Sequence, residues 1–130
     1  MPTSSSHKRA RAGRILSALP VLFLLADAVG KFVQPEAVVT ASAELGFPPE
    51  TLVALGALEA TCAVLFALPR TAVLGAVLLT GYLGGATATH VIHGSSFGFT
   101  VVFGAIVWLA MLLRDDRLLA LMPLRHPRSL

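Results

Sequence analysis

The stretch TAVLGAVLLTGYLGGATATHVI, from Thr71 to Ile92, contains no Asp, Glu, Lys or Arg. Coiled as an α-helix, its roughly 22 residues extend about 33 Å, enough to cross the hydrocarbon of a bilayer. Three further runs are predominantly apolar over a similar length, from about Arg14 to Val33, Thr51 to Leu68 and Phe97 to Leu113. Each is roughly 17 to 22 residues, the length of a membrane span. Backbone N–H and C=O groups find no water in lipid, so only helices and closed barrels cross it, and the alternating strands of about ten residues that a barrel needs are not seen. The expected fold is therefore all-α: a polytopic membrane protein whose residues 14–113 form a four-transmembrane-helix bundle, with a basic tail over residues 1–13 and a second tail over residues 114–130.

Composition agrees. The 130 residues suffice for one domain, and they are 55% hydrophobic and only 13% charged, against about a quarter charged in soluble chains. A single cysteine, Cys62, excludes an internal disulfide, a CxxC redox pair and Cys-rich zinc or iron–sulfur sites, each of which needs more than one sulfur from the chain. The net charge of +3 does not point to nucleic acid, because the basic residues sit at span ends. No Walker loop, dinucleotide fingerprint, HExxH or Gly-x-Ser-x-Gly is present, so nucleotide-driven work would need a partner.

The basic residues also give a direction. Lys8, Arg9, Arg11 and Arg14 precede the first span, Arg70 separates the second from the third, and Arg114, Arg117, Arg125 and Arg128 follow the fourth. The other two connections carry no Lys or Arg, and Lys31 is the one exception among the ten basic residues. Both termini are expected on the cytoplasmic side of the cell (inner) membrane. A cleaved signal peptide ending at Ala26-Asp27-Ala28 is the rival reading, but the apolar run continues past that point through Val29 and Phe32. Between spans one and two, Pro35 can open a short helix, Glu36 sits in its first turn, and Gly46 precedes the Phe47-Pro48-Pro49 break. This segment reads as an interfacial helix that connects the spans or lids the bundle.

Only Asp27, Lys31 and Glu59 place formal charge inside the spans. Each costs about 2.5 to 3.5 kcal/mol at the bilayer centre on insertion scales, so such residues face inward and pair. Asp27 and Lys31 are four apart on one helix face, in the order that favours an ion pair. Glu59 lies in mid-span at a comparable depth, and Tyr82, Ala86 and His90 form one stripe of span three. A polar cluster of Asp27, Lys31, Glu59, Tyr82 and His90 can bind the polar head of a lipophilic molecule by hydrogen bonds and proton transfer. Alternatively, the three charges form a network that only holds the helices together. His90-x-x-His93 lacks the further ligands that a metal or haem needs, so no metal is expected. Gly81-x-x-x-Gly85, continued by Thr89, is a small-residue stripe for close helix packing, within the bundle or against a second copy of the chain.

From Arg14 to Arg125 the sequence resembles the DoxX-like family of small four-helix membrane proteins. The likeness rests on Arg14-Ile15-Leu16-Ser17, Asp27-x-x-x-Lys31-Phe32, Leu45-Gly46-Phe47-Pro48, Glu59, the run from Pro69 to Ala86, His90, and Leu113-Arg114-Asp115. The resemblance implies a bacterial integral membrane protein, in a group whose described relatives are membrane subunits of quinone-linked sulfur oxidation or of oxidative-stress complexes. It carries over Asp27, Lys31, Glu59 and His90 as matching polar positions. The expected function is thus binding of a quinone, or another lipophilic small molecule, as the membrane subunit of a redox assembly with a protein partner. A proton-coupled transporter and a structural, partner-stabilising protein are the alternatives.

Overall fold

The computed structural model describes residues 4–122; Arg125 and Arg128, assigned above to the basic side, lie outside the described residues. Six helices follow in order: α1 (Ser4–Val33), α2 (Glu36–Glu44), α3 (Pro49–Ala67), α4 (Ala72–Ile92), α5 (Gly98–Arg114) and α6 (Asp116–Leu121). There is no strand among the described residues. α1, α3 and α4 are long and apolar enough to cross a membrane, while α5, with 17 residues, is a shorter apolar helix. α1 begins ten residues before the expected span, so the helix runs unbroken through Lys8, Arg9 and Arg11.

Local chemistry sets the joints. α1 stops at Gln34, whose φ of 56° lies in the left-handed region, immediately before Pro35, a residue that disfavours helix in its predecessor. Pro35 then caps α2. The far end of α2 closes through Gly46, φ 81°, with Phe47 N–H donating to Ser42 O at 2.9 Å and Gly46 N–H to Ala43 O at 3.0 Å. This is a Schellman closure, and the positive φ it requires is one that glycine adopts without Cβ strain. Pro49 occupies the first turn of α3, where its missing N–H costs nothing. The Gln34 side-chain amide donates to Pro49 O at 2.9 Å, tying the end of α1 to the start of α3.

Around the bundle the order is α1, α3, α4, α5, each packing on the next and α5 closing back on α1. Leu24, Ala63, Phe66, Ala76, Leu79 and Met111 belong to a fully buried core. The core sits where α3 turns into α4 and α5 ends. Backbones nearly touch there: a Cβ on Gly75 would lie 2.2 Å from Phe66 N, and one on Gly13 2.8 Å from Ala110 O. Arg114 staples the same end, donating to Ser17 Oγ at 3.2 Å and to Phe66 O at 3.1 Å in the last turn of α3. Outside, Ile15, Leu22, Leu58, Leu74, Val102 and Leu109 are each more than half exposed. A belt of large apolar side chains on this scale needs lipid rather than water around it.

Candidate functional site: a polar pocket at the open end of the bundle

At the opposite end the helices line a partly open cavity of about 370 Å³, within the size range of small-molecule sites. Asp27, Lys31, Glu59, Tyr82 and His90 all line it.

Lys31 is its centre. Its Nζ donates to Glu59 Oε2 at 2.7 Å, across from α1 to α3, and also to Asp27 Oδ2, one turn back on α1. The crossing depends on Gly56, where an added Cβ would lie 3.1 Å from Lys31 Cβ and 3.2 Å from Ala28 O. With no side chain at Gly56, α1 and α3 approach closely enough for the Lys31 amine to reach a carboxylate one turn further along α3. Glu59 is 1% exposed, whereas the Asp27 side chain is 46% exposed at the mouth. The pair Asp27–Lys31 is thus one half of a three-membered bridge whose other half crosses helices.

The stripe on α4 also lines the cavity, through Tyr82, Ala86, Thr89 and His90. His90 stands apart from the charged triad: its Nδ1 is hydrogen-bonded with Ser95 Oγ at 2.9 Å, and its ring meets Phe99 edge-on at 5.1 Å. His93 turns elsewhere, its Nδ1 donating to Thr89 O at 2.9 Å. The two imidazoles therefore serve different local bonds.

Aromatic walls complete the pocket. Phe23 and Phe103 pack with their rings tilted by 43° and their centroids 4.7 Å apart, and Phe47, Phe99 and Tyr82 add three more rings. None of the phenylalanines was among the expected site residues. Two signals in the sequence point to them: Phe23 precedes Asp27 by four residues on the same face of α1, and Phe99-x-x-x-Phe103 places two rings on one face of α5 at its first turn. Thr100, 2% exposed, bonds to Thr87 Oγ1 at 2.7 Å and joins α4 to α5 beneath them. α2 covers one side through Val38, Ala41 and Ser42, with Leu45 just past its end.

The small-residue stripe of α4 lies on another side. A Cβ on Gly81 or Gly85 would meet nothing within 4 Å, so no other helix of the chain packs directly on these residues. With Thr89 they line a second cavity, between α3 and α4, of about 470 Å³. Close backbone approaches inside the bundle occur at Gly13, Gly56 and Gly75 instead.

Apolar helices of spanning length, a lipid-facing apolar belt and charges gathered into an internal pocket define an integral membrane protein of the helical class. Residues 15–113 match the DoxX-like family, and the chain belongs to that family. No curated protein and no solved structure matches the chain.

Proposed function

We propose that this chain spans the bacterial inner membrane four times, with both termini cytoplasmic, and binds a lipophilic small molecule by its polar head in the Asp27–Lys31–Glu59 pocket. The four spans would be α1, α3, α4 and α5, with residues 1–13 and 114–130 as flanking tails and α2 lying at the interface. The 17 residues of α5 extend about 26 Å, which modest thinning of the bilayer accommodates. Basic residues at the core end of the bundle favour the cytoplasm for that end. The pocket then faces the outer side. Single cysteines introduced at Ser6 and at Leu119 in a Cys62→Ser background test the topology: a membrane-impermeant maleimide should label both only after the cytoplasmic side is opened, and labelling of either in intact cells would refute the arrangement.

The observation that carries the binding reading is the bridge itself. Three charges brought into the membrane interior are costly, and a bundle needing only adhesion is served at least as well by apolar side chains of equal volume. Here they border a cavity with aromatic walls. A quinone is one such ligand: its carbonyls would accept from Lys31 and Tyr82, and Glu59 and Asp27 are placed to pass it two protons as a redox partner protein supplies two electrons, and to take those protons back when the quinol returns its electrons to the partner. Mass spectrometry of the small molecules retained by the full chain in mild detergent, alongside Glu59→Gln, tests this reading. A lipophilic molecule retained in near-stoichiometric amount and lost on that change is the expected result. Co-purifying proteins with no Glu59-dependent small molecule would make the polar residues structural.

A further inference from the structure

The charge of the pocket specifies its ligand further. Titratable groups reach the cavity from three helices: Asp27 and Lys31 from α1, Glu59 from α3, and Tyr82 and His90 from α4. α2 and α5 bring only uncharged side chains, such as Ser42, Thr100 and Phe103. Two carboxylates therefore stand against one ammonium, and that ammonium already donates to both. With both carboxylates ionised, this triad carries one surplus negative charge in a low-dielectric cavity, where an unbalanced charge is expensive.

The walls carry the same sign of preference. Five aromatic rings, Phe23, Phe47, Tyr82, Phe99 and Phe103, line the cavity, and aromatic faces attract cations through their quadrupole. A neutral head group such as a quinone bonds to Lys31 and Tyr82 but leaves the surplus carboxylate charge unbalanced, and an anion is repelled by it. Asp27, half-exposed at the edge of the cavity, is accessible to a cation from outside.

We propose that the pocket selects a lipophilic monocation, such as an ammonium or phosphonium ion carrying apolar groups, held by the excess carboxylate charge and the aromatic walls. This rests on the reading of the pocket as a ligand site and names the charge of the ligand. A proton on one carboxylate balances the same charge, so a bound cation competes with it.

Equilibrium dialysis of the purified full chain in a non-ionic detergent, at one fixed pH, tests this with three probes: tetraphenylphosphonium, tetraphenylborate of nearly equal size and opposite charge, and the short-tailed quinone decylubiquinone. The expected result is binding of the phosphonium at least tenfold tighter than the borate, with that preference lost in both Glu59→Gln and Asp27→Asn. Asp27→Asn alters a half-exposed side chain and keeps a hydrogen-bond acceptor, so it remains informative if Glu59→Gln fails to fold. Two results overturn the cation inference while leaving the head-group reading intact: equal binding of both ions, or binding of decylubiquinone alone. A preference for the phosphonium that survives both substitutions overturns the assignment of the charge to this pocket. Binding of no probe overturns both readings.

Discussion

Lys31→Met removes the ammonium and keeps most of the apolar stem, so its cost measures the bridge. In the native chain Glu59, 1% exposed, has the Lys31 amine at 2.7 Å. Without it the carboxylate remains in an apolar setting, and stranding a buried charge in this way costs about 3–5 kcal/mol. Asp27 contributes little to that figure, because its side chain is 46% exposed and an open ion pair is worth about 0–1 kcal/mol. The expected loss is thus about 3–5 kcal/mol, or roughly two to three and a half decades in the unfolding constant. Reversible unfolding in mixed micelles of mild and denaturing detergent reads it directly. The double variant Lys31→Met/Glu59→Gln no longer strands a carboxylate in the interior and should recover at least about 2 kcal/mol of the loss, a coupling that a double-mutant cycle isolates. If Lys31→Met costs under about 0.5 kcal/mol, or if the two substitutions simply add, Lys31 does not balance Glu59 and the bridge is not what holds α1 to α3.

Other substitutions probe the frame around the pocket. Gly75→Ala drives a Cβ to 2.2 Å from the Phe66 backbone, and overpacking of this kind should cost about 1–3 kcal/mol or more in the same unfolding assay. Gly81→Ala, whose Cβ meets nothing, should leave stability unchanged or raise it by up to about 1 kcal/mol through helix propensity; a large loss would mean that the stripe packs tightly on something. Arg114→Met removes the donors to Ser17 Oγ and Phe66 O and should cost about 1.5–3 kcal/mol, as for hydrogen bonds from a charged group. Gly46→Ala, forced to φ 81°, should cost about 1–2 kcal/mol of local strain, visible as faster proteolysis within α2; unchanged cleavage would argue against the Schellman closure.

Much of this architecture is legible in the sequence because lipid leaves a chain few choices. Expected runs ending near Val33, Leu68 and Ile92 correspond to helices that end at Val33, Ala67 and Ile92, since charge, proline and glycine punctuate them. The start of α1 is not legible in this way: Ser4–Gly13 is polar, and nothing in hydropathy distinguishes a polar helix from a polar tail. Within the site, the i,i+4 relation of Asp27 and Lys31 is a property of one helix and can be read directly. That Lys31 also reaches Glu59 depends on how α1 and α3 cross at Gly56, a tertiary fact that no single-helix period contains. The stripe at Gly81 and Gly85 shows the converse. Its spacing is that of a packing motif, but which neighbour it meets is decided by the order of helices around the bundle, and here that face is open.

The separation of the packed core from the pocket divides the molecule into a stiff end and a compliant one. Where Gly13 and Gly75 let backbones touch, amide hydrogens should exchange only on global unfolding; around Phe99, Tyr82 and α2, whose residues are nowhere fully buried, they should exchange through local opening. A molecule seated against α1, α3, α4 and α5 at once would work as a keystone. Its binding free energy would appear as slowed exchange at the compliant end before it appeared as a higher melting temperature, so occupancy could be followed amide by amide along α2 while the other end of the bundle stayed silent.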